Sequence, residues 1–504
     1  MKLNILTVSF LALLFTVLVI SCGKDDVETP LVIEDFFPKS GGVGSLVQIY
    51  GKGFSTTSNK ISFNGASASI TSIDNGAISV KVPLGGSTGK ITLTVGSQSA
   101  TSSDDFTYLA PEINFFSPKF GSAGTLVAIA GSNFSSTLSD HVIKFNGVVA
   151  TQPSLRDGLL LVKVPSGTDI GKITVQIGGL IGTSNTDFFY QKPVTVTKFA
   201  GDLLSGFSDG VSNARFNAPA GLATDLNGNV YVADSKNHAV RKIAPDGSVV
   251  TIAGNGTSGF VNATALSARF NEPYGVAVDG LGNVYVADTF NHSIRKINQT
   301  GVVTTIAGNG IAGFANGNGS SAQFDRPYGI AVDASGNIYI GERLRIRKIS
   351  VSGDVTTLAG GSVSGFADGN GASAMFNTVL YLVFDGNGDL LATSNNRIRK
   401  ITRLGIVTTL PSDRYNGSWA FALLGIAVDK SANVYVADNF SELVKITPSG
   451  STGDYAGSQV SVAKDNNGNT VSLSNIFGLA IDNNGNLYVS VGIAKSNLIY
   501  KITL

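Results

Sequence analysis

The stretch Gly275–Asp288, GVAVDGLGNVYVAD, decides the fold of this chain. Short runs of valine and alanine flank a Gly- and Asn-rich segment, a pattern that predicts two strands joined by a tight turn. A third strand is predicted through Asn291 to Ile297, and a fourth over Val302–Gly308. Four strands in one unit are typical of a β-propeller blade.

The same phrase recurs along the chain with a period of about 50 residues, which indicates a repeat architecture. The other copies begin at Gly221, Gly329, Tyr381, Gly425 and Gly478. Six copies predict six blades. Val194–Gly201 matches a fourth strand and Tyr500–Leu504 matches a third, so we expect these two segments to complete one blade and close the ring.

Residues 30–109 and 110–191 repeat each other ahead of the predicted propeller. Pro38, Gly44 and Phe54 return 80 residues later, as Pro118, Gly124 and Phe134. Short alternating strands punctuated by Gly and Pro predict a small β-sandwich in each copy. We expect the sandwiches to act as spacers, with direct binding as the alternative.

These motifs carry two family resemblances. Ile33–Phe54 and Ile113–Phe134 resemble the opening of the immunoglobulin-like IPT/TIG domain. Asn217–Ile243, Asn271–Ile297 and Asp325–Ile349 resemble NHL repeats. The resemblance implies an all-β protein, with two immunoglobulin-like β-sandwiches followed by a six-bladed propeller over residues 192–504.

The N-terminal segment reads as an export signal. Lys2 precedes an apolar run over Ile5–Ile20, and residues 19–22, Val-Ile-Ser-Cys, resemble the lipobox of bacterial lipoproteins. The resemblance implies a signal peptide over 1–21, lipidation at Cys22 and a tether over 22–29. We therefore expect a lipid anchor in the outer membrane and display at the cell surface. A periplasm-facing anchor and an ordinary secretory signal are the alternatives.

The composition argues against several classes of function. The chain of 504 residues has 36 basic and 35 acidic residues, a net charge of +1, which does not favour nucleic-acid binding. Cys22 is the single cysteine, so we expect neither a disulfide framework nor a cysteine metal site. No cofactor is expected, and the predicted state is a monomer.

The candidates for metal binding and catalysis are few. Aspartates recur at the first hairpin of each repeat, where Asp and Asn favour turn geometry. Asp385 and Asp389 are the best calcium candidates, although no glutamate follows as in an EF-hand. The three histidines cannot supply three zinc ligands around a propeller axis. Enzymatic activity is left uncertain and is not the expected function.

One segment breaks the repeat. Pro411–Phe421 replaces the usual connection between the fourth and fifth copies, and it contains the single tryptophan. An aromatic face beside amide and guanidinium donors suits sugar binding. The predicted ligand contacts are Trp419, Tyr415, Arg414 and Asn416, followed by Tyr274, Tyr328, Tyr381, Arg343 and Arg345. A packing role for the tryptophan is the alternative.

The sequence therefore predicts a non-catalytic binding module of the cell envelope. Its first predicted ligand is a surface polysaccharide captured by the propeller. The alternatives are an adhesin or scaffold that binds an envelope or surface protein, and, less favoured, a metal-dependent propeller hydrolase or lyase.

Overall fold

The computed structural model describes residues 29–74, 76–192, 194–411, 423–438, 442–457, 463–464, 473, 475–492 and 497–503. Its regular structure is almost entirely β, which confirms the predicted all-β class. The described residues pack as two compact units: those within 29–112, 132–141 and 176–182, and those within 113–131, 142–175 and 183–503. None of the helices in the described part is long and apolar enough to cross a membrane.

The first repeat forms a sandwich in which alternate side chains face a common core. Phe63 packs edge-on against Phe106, with their ring centroids 5.0 Å apart. The strand Ala66–Asp74 pairs with Asn59–Phe63 and with Ala77–Lys81, and it thereby joins the strands of this repeat into one hydrogen-bonded series. The strands are Val32–Phe37, Ser40–Gly41, Leu46–Lys52, Asn59–Phe63, Ala66–Asp74, Ala77–Lys81, Gly89–Val95 and Gln98–Tyr108.

The second repeat uses the same core contact, since Phe145 packs edge-on against Phe188 at 5.0 Å. One sheet contains Phe120–Gly121, Leu180–Tyr190, Gly171–Ile177, His141–Phe145 and Val148–Val149. The other sheet contains Ser154–Arg156, Leu159–Lys163, Leu126–Ser132 and Glu112–Ser117. The pairing of short strands in two sheets is that of an immunoglobulin-like sandwich.

Within the described residues, six further sheets form the predicted propeller, and we number the blades one to six in chain order of their first strands. Blades one and two contain Pro219–Thr224, Val230–Asp234, Ala239–Ile243, Val249–Ala253, Gly275–Val278, Val284–Asp288, Ser293–Ile297 and Val303–Ala307. Blades three and four contain Gly317–Asn318, Ile330–Val332, Ile338–Gly341, Arg345–Ile349, Asp354–Gly360, Gly369–Asn370, Val379–Phe384, Leu390–Ser394, Arg397–Ile401 and Ile406–Thr409. Blades five and six contain Leu423–Val428, Val434–Asp438, Glu442–Ile446, Thr452–Gly457, Ile476–Ile481, Leu487–Gly492, Asn497–Thr503, Val194–Asp202 and Ala463–Lys464.

The ring is closed by segments from both ends of the propeller sequence. Val194–Asp202 pairs antiparallel with Asn497–Thr503, and Val196 lies opposite Ile502. The predicted closure is therefore confirmed. Because Val194–Asp202 completes blade six, the outer edge of the third strand of this blade, Asn497–Thr503, is paired rather than exposed.

Apolar cores lie between neighbouring blades. Tyr231 and Ala233 of blade one, for example, belong to one buried cluster with Val276 and Val286 of blade two. The innermost strands approach closely: a Cβ at Gly275 would overlap the carbonyl oxygen of Tyr328. Glycine at this repeat position is therefore required by backbone packing.

In each of four blades, a buried arginine on the third strand holds parts of the same blade together. The Arg295 guanidinium donates to Asp288 at 2.8 Å, and both side chains are fully buried. It lies between the rings of Phe260 and Phe270, at 5.0 and 5.1 Å from their centroids. The equivalent arginines in the other three blades are Arg241, Arg347 and Arg399, and all are fully buried.

The second sandwich rests on blade five. Asp187 accepts hydrogen bonds from the hydroxyls of Ser449 and Ser451 at 2.6 and 3.1 Å. The ring of Phe189 lies against Gly453, where an added Cβ would overlap it. These contacts fix the sandwich to the outer edge of that blade.

Short 3-10 helices complete the regular structure and lie in the connections. They are Leu138–Asp140, Ser235–Asn237, Ala265–Ser267, Thr289–Asn291, Gly319–Ser321 and Gly371–Ser373.

We predict that Arg295→Met destabilises the protein by about 3–5 kcal/mol, because it leaves the Asp288 carboxylate buried without its charge partner. The free energy of unfolding from urea denaturation is the measurement. Arg269→Met is the control, since this arginine of the preceding connection is exposed. Equal losses in the two variants would show that the buried ion pair has no special role.

Candidate functional site

Two equivalent turns shape one face of the propeller. They are the 3-10 helices Ser235–Asn237 and Thr289–Asn291, and each ends at a histidine in the left-handed region, with φ of 48° and 47°. The side chain of Asn237 donates to Asp234 at 2.8 Å, so the turn is held by the carboxylate that pairs with the buried arginine. The middle residues of the two turns are Lys236 and Phe290.

These turns border a cavity of about 290 Å³ at one end of the propeller axis. We call it the axial cavity. Its lining includes Lys236, Glu272, Tyr274, Phe290, Tyr328 and Phe477. Aromatic rings with a few polar groups are typical of pockets that bind small ligands.

Tyrosines from three consecutive blades contact one another. The ring of Tyr274 lies 5.3 Å from that of Tyr328 and 5.5 Å from that of Tyr381. Tyr274 and Tyr328 line the axial cavity, whereas Tyr381 is buried behind them. Burial raises the pKa of Tyr274, and it raises that of Tyr381 well above its ordinary value. The structure thus places in contact three residues that the sequence nominated as candidates for one propeller face.

An ion pair borders the aromatic surface. The Lys236 ammonium lies 2.7 Å from the Glu272 carboxylate, and the two side chains are 52% and 27% exposed. Phe290 is 43% exposed beside them. Stacking surface and charged hydrogen-bonding groups therefore face the same space, as recognition of a polyhydroxylated ligand requires.

The other nominated residues lie elsewhere. The Arg345 guanidinium stacks on Phe314 at 3.8 Å from the ring centroid, and Arg343 is exposed in the adjacent turn. Neither residue lines the axial cavity. Trp419, Tyr415, Arg414 and Asn416 lie outside the described residues, as does Cys22.

The calcium candidates contact a lysine. The Lys400 ammonium lies 2.9 Å from Asp385 and 3.1 Å from Asp389, in the position that a cation would take. Asp385 also accepts the backbone N–H of Asn387, as in an Asx turn. Within the described ranges, no group of three or more His, Cys, Asp or Glu side chains is placed to hold a metal ion.

Of the residues that line the cavity, sequence reasoning named Tyr274 and Tyr328 and missed the others, among them Lys236, Glu272 and Phe290. The sequence contains a signal that could have identified two of the missed residues. Lys236 and Phe290 occupy the same place in two copies whose flanking Asn-His dipeptides are identical. A position that varies inside a constant turn points to the ligand face, because turn geometry does not dictate its side chain.

Models of two known families match the chain. The IPT/TIG domain model matches residues 31–108 and 111–190, and the NHL repeat model matches residues 216–243 and 270–297. The chain contains two IPT/TIG domains and NHL repeats. The IPT/TIG matches cover the two sandwiches, and the NHL matches fall on blades one and two.

Curated relatives are similar to part of the chain. The chloroplastic Protein SUPPRESSOR OF QUENCHING 1 of Arabidopsis thaliana is 29% identical over 274 residues, which is 48% of this chain and 26% of that protein. NHL repeat-containing protein 2 of Gallus gallus is 35% identical over 107 residues, 21% of this chain and 15% of that protein. The chain thus spans about a quarter or less of the length of these relatives.

Solved structures align at low identity. An auxiliary nutrient binding protein from Bacteroides thetaiotaomicron is 17% identical with a TM-score of 0.44, covering 78% of this chain and 98% of that one. A streptogramin B lyase is 15% identical with a TM-score of 0.39, covering 62% of this chain and 98% of that one.

We predict that His238 stabilises the propeller only near and above neutral pH. Its Nδ1 accepts the backbone N–H of Glu272 at 3.1 Å, and this requires the neutral ring. Burial lowers the pKa of His238 below its usual 6.5. The unfolded chain therefore gains a proton first as the pH falls through 6.5, and the stabilisation is lost on acidification.

The measurement compares wild type with His238→Ala by urea denaturation across the pH range. The free energy of unfolding of the wild type is expected to exceed that of His238→Ala by about 1 kcal/mol in mild alkali, the usual contribution of one hydrogen bond. This difference is expected to shrink in acid. Glu272 and Lys236 are the charged neighbours and act in opposite directions on the histidine. An advantage that grows on acidification would contradict the prediction.

Proposed function

We propose that this protein is a non-catalytic binding lipoprotein that captures a polysaccharide at the axial cavity. The observation that carries the proposal is the placement of Tyr274, Tyr328 and the exposed Phe290 around one cavity, beside the Lys236–Glu272 pair. Sugar rings present C–H groups to aromatic faces and hydroxyls to charged acceptors and donors.

The Trp419 segment extends the proposed site. In the sequence it connects the fourth strand of blade four, Ile406–Thr409, to the first strand of blade five, Leu423–Val428. The corresponding connection between blades one and two carries Glu272, which lines the axial cavity. Trp419, with Arg414, Tyr415 and Asn416, therefore supplies further stacking and hydrogen-bonding groups in this proposal.

A protein partner is the second candidate. Leu226, Leu281, Val351 and Leu404 lie at hairpin turns, and each is 72–81% exposed. Aliphatic side chains at this level of exposure suit the core of a protein interface better than contact with a sugar. A metal-dependent hydrolase or lyase stays a prediction, which metal analysis of the purified propeller tests.

We predict that Phe290→Ala weakens polysaccharide binding roughly tenfold or more, as truncation of a central aromatic contact commonly does. Affinity electrophoresis of residues 30–504 against a polysaccharide panel is the measurement, with Trp419→Ala in parallel. Phe37→Ala is the matched control, because this phenylalanine of the first sandwich is 68% exposed and is not in the propeller.

The outcomes separate the candidates. Retardation by one polysaccharide that is lost in Phe290→Ala and kept in Phe37→Ala supports the axial cavity as the site. Retardation that is lost only in Trp419→Ala moves the site to that segment. If no polysaccharide retards the wild type, glycan capture is wrong, and a pull-down on cell envelopes tests the protein partner.

The proposed anchor is a lipid on Cys22 that holds the protein in the outer membrane with the propeller at the cell surface. We predict that Cys22→Ser moves the full-length protein from the membrane fraction to the soluble fraction of a Gram-negative host. Incorporation of an alkyne fatty acid is expected to be lost together with the membrane association. Protease added to intact cells distinguishes surface display from the periplasm-facing alternative.

A further inference from the structure

The last strand of the second sandwich, Leu180–Tyr190, leads almost directly into the strand that closes the ring. Residues 191–193 separate it from Val194–Asp202. Residues 183–192 and the described parts of blades five and six belong to one compact unit. The sandwich is joined by the chain to blade six, while its side chains contact blade five. It thus bridges the interface between these two blades.

The sandwich surface that contacts blade five differs from the same surface of the first sandwich. Phe189 is 3% exposed, whereas Thr107, at the equivalent position of the first sandwich, is exposed. Asp187 and Asp105 are also equivalent, and each pairs with a lysine, but their side chains are 9% and 57% exposed. Because the two sandwiches repeat each other, the additional burial of Phe189 and Asp187 comes from the contact with blade five.

Blade five differs from the other blades at the same contact. In blades one to four, the fourth-strand residue that pairs with the repeat lysine is exposed, and it is Val250, Thr304, Thr356 or Thr408. In blade five this residue is Gly453, which is buried, and an added Cβ would overlap the ring of Phe189. The sandwich has gained a ring where the blade has lost a side chain. Complementary changes of this kind indicate a specific interface.

Hydrogen bonds and close packing complete the contact. The Asp187 carboxylate accepts from Ser449 and Ser451, which lie in and beside the turn between the third and fourth strands of blade five. The space left between sandwich and blade is a cavity of about 20 Å³, enough for about one water molecule. Gln191 and Lys192 line it together with Tyr455 of blade five, so the connection to the closing strand also lies against this blade.

We propose that the second sandwich is a clamp on the propeller: it holds the closing strand Val194–Asp202 in the ring by fixing its entry point to blade five. The first residues of this strand, Val194 and Val196, are buried in a cluster shared with Leu443 of blade five. Strands near the end of a domain open locally unless they are tied down. With Phe189 packed on Gly453, the start of the closing strand can leave the ring only if the sandwich contact breaks as well.

The test is hydrogen–deuterium exchange of residues 30–504, which contain both sandwiches and all six blades. Mass spectrometry compares peptides from the closing strand with peptides from Val284–Asp288 of blade two. Phe189→Thr removes the contact from the sandwich side, and Gly453→Val removes it from the propeller side, because its side chain meets the Phe189 ring. Both variants are expected to exchange about tenfold faster or more in the closing strand, with blade two unchanged, since loss of a buried aromatic contact frees the strand that it holds.

The matched controls are Thr107→Ala in the first sandwich and Thr304→Val in blade two, because both residues are exposed at the positions equivalent to Phe189 and Gly453. Faster exchange of the closing strand in the contact variants and in neither control supports the clamp. Unchanged exchange of this strand in Phe189→Thr overturns it. An equal acceleration in blade two of Phe189→Thr also overturns it, because the sandwich would then stabilise the propeller as a whole and not its closure. Phe189→Thr decides if Gly453→Val does not fold, since threonine is the residue that the first sandwich carries at this position.

Discussion

The propeller depends on a guanidinium buried between two aromatic rings. In blade two, Arg295 joins the third strand to Asp288 at the end of the second, and its flanking rings come from the connection that precedes the blade. A single side chain thus fixes a strand, a turn and a long loop. Replacing it with a lysine would remove the planar fork that satisfies several acceptors at once.

The carboxylate of this pair also shapes the axial cavity. Asp288 accepts from the side chain of Asn291, and the turn between them carries Phe290. Asp234 does the same for the turn that carries Lys236. The buried charge pair therefore sets the backbone from which the cavity residues project. Their orientation is a consequence of the core of each blade and not of the ligand.

The buried pair of aspartate and arginine is not the same in every blade. Blade three replaces the aspartate with Glu342, blade four has Ser394 there, and blade five has Val444 in place of the arginine. In blade four the guanidinium of Arg399 pairs with Asp368 instead, at 2.8 Å. The regular pairs belong to blades one and two, which supply most of the axial cavity. A regular scaffold thus holds most of the axial cavity.

The sequence predicted the blades because each copy contains its own turn and strand signals, and the complementary end segments predicted the closure. It also nominated Tyr274, Tyr328 and Tyr381, since an aromatic beside or in place of the repeat glycine is visible as a departure from the repeat. The sequence placed them as candidates on one propeller face, but it could not predict the ring contacts between them, because these join separate blades. Arg345 stays a predicted ligand contact. Its packing on Phe314 could not be predicted either, because that contact depends on a loop 31 residues earlier.

The inner strands of the repeats combine constrained positions with variable ones. The repeat glycines are constrained, since a side chain at Gly221, Gly275 or Gly478 would overlap the backbone of the neighbouring blade. The residue just before this position differs among the six copies: it is Ala220, Tyr274, Tyr328, Leu380, Leu424 or Phe477. These equivalent positions therefore accept alanine, leucine, phenylalanine or tyrosine within the same blade fold. The backbone packing that requires the glycines thus leaves the adjacent residues free to differ from blade to blade.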